Sequence, residues 1–222
     1  MIINNVRIEW LGHDGFLITT LDGKRIAIDP FKISNTIKPV DMILITHPHP
    51  DHCSIEDIGK LTKEGTQIVI PIGCQSKVNR IDGLKINIAN VGIKIKVDGI
   101  SLYPFPAYNT SKEFHPKAED WMGYIVKLKD VMIYHAGDTD KIPEMEGLKY
   151  IAQEGEKVIA LLPVSGHYVM DAKEAAESAA LINPAIAIPM HYGSLVGEED
   201  NAKEFVEFCK INGINAEILN KI

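Results

Sequence analysis

Along residues 1–46, short apolar runs alternate with turns that carry Gly or Asp: VRIEW, GFLITT, the turn LDGK, RIAID and DMILIT. Apolar, β-branched runs broken by such residues predict strands, and LDGK predicts a hairpin. Ser54 then opens SIEDIGKLTKEG, with Asp57 three residues on and Gly65 as a stop, the signature of a capped helix. After QIVI and a short helical stretch, CQSKVNRI, the runs LKINIA, IKIKV, ISLYPF, GYIVKL and VMIYH predict a second group of strands. From residue 158 the pattern becomes strand, helix, strand, helix: VIALLPV, DAKEAAESAALIN, AIAIPM, DNAKEFVEFCKING and a last strand, AEIL. Asp171 with Glu174 starts the first of these helices, Pro184 follows its end and Gly213 follows the next. Two β-rich halves with a few amphipathic helices predict an α/β protein of two packed sheets with helices outside. No linker or low-complexity stretch divides residues 1–222, so a single domain is expected. Residues 106–123 match no regular element, and loops of that length are usually functional or mobile.

Composition narrows the function classes. The chain is 45% hydrophobic and 24% charged, ordinary for a globular domain with a sizeable core. Its 23 basic against 30 acidic residues give a net charge of -7, which opposes a broad grip on extended nucleic acid or an anionic membrane. MIINNVRIEW has no secretory pattern, and no apolar run reaches the ~18 residues of a membrane span, so a cytoplasmic protein is expected. Cys53, Cys74 and Cys209 lack paired spacing and read as free thiols. A homo-oligomer is compatible with all of this.

The chemistry concentrates in THPHPDHCS, residues 46–54, at the exit of the apolar run DMILI. In an extended chain His47 and His49 lie on the same side and can converge on one metal ion. Pro48 and Pro50 hold the backbone extended, arranging the ligands in advance. Asp51 and His52 fall beyond that pair and can reach a second ion. Four ligand types so spaced are a metal-site signature.

These residues form an intact H-x-H-x-D-H motif, and here the chain resembles the metallo-β-lactamase superfamily. The resemblance extends over nearly the whole sequence. Asp29 in AIDP matches the early strand-end aspartate, Asp138 in HAGDTD the carboxylate that bridges two ions, and His191 in PMHYG the last metal ligand. WLGHDGFLI, PAYN, HAGDTD…PEM and MHYG look most like the stand-alone metal-dependent hydrolases related to ascorbate-6-phosphate lactonases. The implied fold is the four-layered αβ/βα sandwich, with the site in loops along one edge. The implied chemistry is hydrolysis by a metal-activated hydroxide, with two divalent ions, Zn2+ or else Mn2+ or Fe2+, and Asp51 and His191 in the reacting centre. Asp29 then orients a ligand imidazole from behind.

The chain departs from this pattern at the third histidine of the first ion. Many relatives place it just after a Pro-Ala pair, where FPAYNTSKEFHPK has Asn109, with His115 six residues on. An amide is a poor zinc ligand, so His115 is the candidate and Asn109 is left to orient a ligand or substrate. His13 in LGHDGF, His167 in VSGHYVMD and Tyr192 sit in turns or strand-end loops and are candidate contacts, whereas His135 reads as core or support. The expected substrate is small and soluble, with or without a phosphate group, cleaved at an ester, lactone or phosphodiester bond. Two rivals stand beside that reading: a metal-binding or ligand-sensing module without efficient catalysis, and a nuclease for short RNA or DNA.

Overall fold

A strand reads as polar-apolar alternation when one face is covered and as a continuous apolar run when both are. In the computed structural model, which describes residues 1–222, the central strands are covered on both. Ile26 and Ile28 enter one apolar cluster and Ala27 the other; Met42 and Leu44 alternate in this way with Ile43 and Ile45, and Val69 with Ile68 and Ile70. RIAID and DMILIT therefore show no polar face.

The elements are β1 (Ile2–Ile3), β2 (Val6–Gly12), β3 (Gly15–Thr19), β4 (Arg25–Ile28), β5 (Met42–Leu44), α1 (Ile55–Leu61), β6 (Thr66–Ile70), α2 (Gln75–Val78), β7 (Leu84–Ile88), β8 (Ile95–Val97), β9 (Ile100–Pro106), β10 (Met122–Leu128), β11 (Val131–His135), β12 (Lys157–Pro163), α3 (Ala172–Ile182), β13 (Ile186–Met190) and α4 (Glu199–Ile211). Strands β1 to β7 form one sheet in sequence order, antiparallel as far as β4 and parallel beyond it. The second sheet runs β13-β12-β11-β10-β9-β8, parallel from β13 to β11 and antiparallel thereafter. Ile58 and Leu61 of α1 pack on the outer face of the first sheet, and α3 and α4 lie against β12 and β13 of the second. The result is the αβ/βα sandwich.

Capping follows the sequence. Ser54 Oγ accepts from the Asp57 backbone N–H at 3.3 Å and donates to the Asp57 carboxylate at 2.8 Å, and Asp171 accepts from the Glu174 N–H at 2.8 Å. Two expectations need correction, and one segment is new. Helix α1 stops at Leu61 on an extended Thr62, before Gly65. Residues Pro143–Tyr150, not anticipated, form a 3-10 segment begun by the proline. AEIL is not a strand, because the C-terminal segment crosses between sheets: Ala216 bridges Ala187 at the edge of one, while Lys221 bridges Trp10 in the other. A segment that changes sheets within a few residues cannot extend a ladder in either.

The three cysteines are buried and unbridged, and no helix is long and apolar enough to cross a membrane. The carboxyl ends of β4, β5, β11, β12 and β13 meet at one edge with the β2–β3 turn, where open α/β sheets collect their functional loops. Near that edge the buried Tyr124 hydroxyl of β10 donates to the Ile45 carbonyl at 2.8 Å, tying one sheet to the other just before the histidine motif.

Candidate metal centre

Thr46 organises the exit from β5. Its backbone N–H and its hydroxyl donate to the Asp29 carboxylate at 2.9 and 2.5 Å. With its proton given to Asp29, the hydroxyl can only accept from His47 Nδ1, 2.9 Å away, so His47 keeps its lone pair on Nε2. His52 Nδ1 lies 2.8 Å from the same Asp29 carboxylate, which fixes that ring with Nε2 facing the opposite way. Lys77 holds the carbonyl of Pro48, between the first two histidines.

The long loop supplies the next imidazole. Asn109 Nδ2 donates to Asp140 at 3.0 Å and to the Tyr168 carbonyl at 2.9 Å, which leaves its Oδ1 as acceptor. That oxygen takes the His115 backbone N–H at 3.0 Å and lies 3.1 Å from His115 Nδ1. Asp140, itself held by Lys112 and the Thr110 N–H, anchors the assembly. His115 therefore presents Nε2 with Asn109 behind it. On β13's exit His191, in the left-handed region at φ +60°, has Nδ1 2.8 Å from Ser165 Oγ.

The free nitrogens converge on Asp138, in the loop after β11. His115 Nε2 and His191 Nε2 lie 3.1 and 3.2 Å from Asp138 Oδ2, and His52 Nε2 lies 3.4 Å from Oδ1. His47 Nε2 is 3.0 Å from His49 Nδ1. Ligand atoms of His47, His49 and His115 form one close group, and those of His52, Asp138 and His191 another, with Asp51 beside His52 at 3.7 Å. Several of these atoms are buried without a hydrogen-bond partner, namely His52 Nε2, His115 Nε2 and Asp138 Oδ1. Burying unpaired polar atoms is costly, and a set of nitrogen and carboxylate donors that face each other fits divalent cations.

Burial and neighbouring charges set the protonation of the cluster. Burial holds His47 well below the usual imidazole range, with the nearby His52 adding to it, so that His47 is neutral and able to ligate. Burial also depresses His191, but the carboxylates of Asp138 and Asp14 outweigh it and raise it to about 9. Asp51 is pushed up by burial, yet its hydrogen bond with His13 Nε2, at 3.0 Å, and the adjacent imidazole of His52 carry it below the ordinary carboxylate range.

Of the residues singled out in the sequence, His13, Asp29, His47, His49, Asp51, His52, Asn109, His115, Asp138 and His191 come together here. Two do not. His167 is exposed and packs edge-on against Tyr168 and at a tilt against Phe114 at the rim. Tyr192 is buried against the Trp10 ring at 4.8 Å, where burial raises its hydroxyl to about 12; it is a packing residue. His135 also supports from the core, with Nε2 2.8 Å from the Asp14 carbonyl. Sequence reasoning missed Thr46, Ser165 and Trp121, whose ring lies 5.0 Å from that of His47 and 4.9 Å from that of His49. It also missed Asp14, which follows His13 directly; an acid beside a candidate histidine in a tight turn was the available signal.

The cluster opens into a cavity of about 420 Å³ lined on its outer side by Phe114, Tyr168, Leu195 and Val196. A hollow of about 520 Å³ at the far edge, between Asn4, Lys24, Asp98 and Lys127, is lined by none of the clustered histidines and aspartates.

An αβ/βα sandwich with histidines and aspartates converging at the strand ends defines a metal-dependent hydrolase of the metallo-β-lactamase type. Comparison with known proteins agrees. The family model for the β-lactamase superfamily domain matches residues 7–191. A UPF0173 metal-dependent hydrolase of Pyrococcus furiosus is 34% identical over 224 residues, covering 96% of this chain and 95% of that one. The crystal structure of a Parabacteroides distasonis protein matches with a TM-score of 0.82 at 29% identity, covering 97% of this chain and 94% of the other. A metallo hydrolase from Ignicoccus hospitalis matches at 0.77 and 26%, covering 97% and 95%. The chain belongs to the metallo-β-lactamase superfamily, as a stand-alone metal-dependent hydrolase akin to the UPF0173 proteins.

Proposed function

We propose that the site holds two divalent ions and hydrolyses an ester or lactone in a small, uncharged substrate that carries an apolar group. The observation that supports it best is the convergence on Asp138 of imidazoles whose far nitrogens are each occupied by a different partner: Thr46 for His47, Asp29 for His52, Asn109 for His115 and Ser165 for His191. His47, His49 and His115 would hold the first ion, a set of imidazoles suited to Zn2+, and Asp51, His52 and His191 the second, with Asp138 shared. Bound there, the ions would supply a water acidic enough to lose a proton near neutral pH and an electrophilic pull on the scissile bond.

The protein's own part is positioning. Asp51, partly exposed to the cavity and oriented by His13, stands where it can accept a hydrogen bond from the attacking water. His191 lines the same cavity, with Nδ1 held by Ser165 and Nε2 turned toward the position of the second ion. Phe114, Tyr168, Leu195 and Val196 would cover an apolar acyl chain or ring. No Lys or Arg lines this cavity, which favours a carbonyl centre over a phosphodiester. The lysines of the long loop are already paired, Lys112 with Asp140 and Lys117 with Glu144.

The test is elemental analysis of the purified protein, followed by a panel of lactones, carboxylic esters and phosphodiesters assayed after reconstitution with Zn2+, Mn2+ or Fe2+ and again after chelation. About two ions per chain and metal-dependent turnover of the carbonyl substrates are expected. A protein that takes up none of these ions refutes the reading, and turnover confined to phosphodiesters, or to oligonucleotides with strong salt dependence, refutes its substrate half.

A further inference from the structure

The β2–β3 turn brings a second carboxylate to the centre. Gly12, at φ +101°, and His13, at φ +53°, turn the chain sharply between the strands. The Asp14 carbonyl is held by His135 Nε2, and the Asp14 side chain is fully buried with neither oxygen hydrogen-bonded. Its Oδ2 lies 3.5 Å from His52 Nε2, 3.8 Å from His191 Nε2 and 4.0 Å from His13 Nε2. A carboxylate enclosed without a donor is among the most expensive groups a fold can contain, unless a cation offsets it.

These distances discriminate between two roles. A hydrogen bond from a ring N–H would be close to 2.7–2.9 Å for a charged pair, and 3.5 Å is too long for one. Two ligands of one ion, each about 2.0–2.1 Å from it in tetrahedral array, are instead separated by roughly 3.3 Å. Asp138 Oδ1 stands at 3.4 Å from His52 Nε2 and Asp138 Oδ2 at 3.2 Å from His191 Nε2. Asp14 stands slightly farther from the same two nitrogens, at 3.5 and 3.8 Å, on the ligand-to-ligand scale and beyond the hydrogen-bond one. Ligand atoms of Asp14, His52, Asp138 and His191 all lie within 4.8 Å of one another.

We infer that Asp14 is a ligand of the second ion, an inference that rests on the two-ion reading above. The two positions then differ in kind. The first is surrounded by three imidazoles and the shared Asp138. The second has His52 and His191 with up to three carboxylates, from Asp14, Asp51 and Asp138. Oxygen donors and extra negative charge favour harder ions, so the second position prefers Mn2+ or Fe2+ more than the first does.

The test compares the full-length wild type with Asp14→Asn, which keeps the shape and removes the charge. Both are stripped by chelation and titrated calorimetrically with Zn2+ and with Mn2+. Expected is one ion bound as in the wild type and the other weakened at least tenfold, with the larger loss for Mn2+. Thermal midpoints supply a readout that a structural role would not give. The stripped variant should melt at or above the stripped wild type, because an uncompensated carboxylate is gone, whereas the loaded variant should melt below the loaded wild type. Wild-type affinity for both ions in the variant, or equal destabilisation of stripped and loaded forms, overturns the assignment while leaving the two-ion reading intact. A wild type that takes up no ion overturns both. A crystal structure of the Mn2+-loaded wild type decides the matter without any variant: an Asp14 oxygen at about 2.0–2.3 Å from the ion supports it, and one beyond hydrogen-bond range overturns it.

Discussion

Gly123 sits near the start of β10 at a place where no side chain fits, and Gly123→Ala measures how tightly the fold supports the site. A Cβ there would lie 2.3 Å from the His135 carbonyl oxygen and 2.5 Å from that of Ala136. Ordinary close approach of carbon to oxygen is about 3.3 Å, so the deficit is roughly 1 Å. Both obstructing atoms are backbone and cannot rotate away. Overpacking costs about 1–3 kcal/mol where side chains can adjust, so the upper end, about 3 kcal/mol, is expected here. For a domain of this size each kcal/mol moves the melting midpoint by roughly 2–4 °C, which makes the expected loss about 6–12 °C. Residues 135 and 136 lead directly into Gly137 and Asp138, so metal affinity should fall together with stability. Urea unfolding gives the free energy and elemental analysis gives the occupancy. Gly59→Ala in α1 is the control: it is exposed, nothing lies within 4 Å of its new Cβ, and it should gain about 0.5–1 kcal/mol. A Gly123→Ala protein as stable as the wild type would refute the steric reasoning.

Asp138→Ala should lower occupancy at both metal positions, and elemental analysis that finds one position untouched excludes Asp138 as the bridge. His115→Ala should remove the first ion selectively, while Asn109→Ala, which frees the His115 ring, should weaken that ion by about 10–100-fold; loss only in the asparagine variant would reverse their roles. Burial alone would raise the Asp57 carboxyl, but Lys60, Ser54 and the Lys32 backbone N–H hold it below its usual range. Its contribution is therefore present above the unfolded value near 3.9 and lost as pH falls through the lower folded one. Asp57→Asn should accordingly be less stable at pH 7 yet lose less on acidification, and urea midpoints of the two proteins with parallel pH profiles would sink that attribution.

What the sequence made legible depended on contiguity. His47, His49, Asp51 and His52 stand within six positions at a strand exit, so local spacing was enough to nominate them. Asp29, Asp138 and His191 are ordinary turn residues when taken singly and gained meaning from their order. His115 was reached by ligand chemistry, since an amide at residue 109 left an imidazole wanting. Thr46 and Ser165 gave no signal, because accepting a ring N–H is something any hydroxyl can do and only the folded distances pick these two. Trp121 and Asp14 likewise acquire their surroundings from strands distant in sequence. Tyr192 differs for the opposite reason: its strand-end loop position suggested a contact, but β13's exit turns its ring onto Trp10. At the fold level, apolar runs located nearly every long strand, whereas AEIL was misread because pattern within one segment cannot show that its neighbours belong to two different sheets.

The two halves of the sandwich each carry an incomplete centre. The first sheet and its loops supply Asp14, Asp29 and the residues from His47 to His52; the second supplies His115, Asp138 and His191. Hydrogen bonds join the halves near the edge: the His191 N–H to the His13 carbonyl at 3.1 Å, the Met122 N–H to the Thr46 carbonyl at 3.2 Å, and Tyr124 to the Ile45 carbonyl and His135 to the Asp14 carbonyl, each at 2.8 Å. Asp138 faces imidazoles of both halves, so ions held in common would act as cross-links between the sheets. Because such ions favour the folded over the unfolded chain by mass action, an increment of about 2.7 kcal/mol is expected at a hundredfold excess over the dissociation constant. The same convergence that prepares the chemistry thus adds an ion-dependent increment to an interface already held by the shared apolar core.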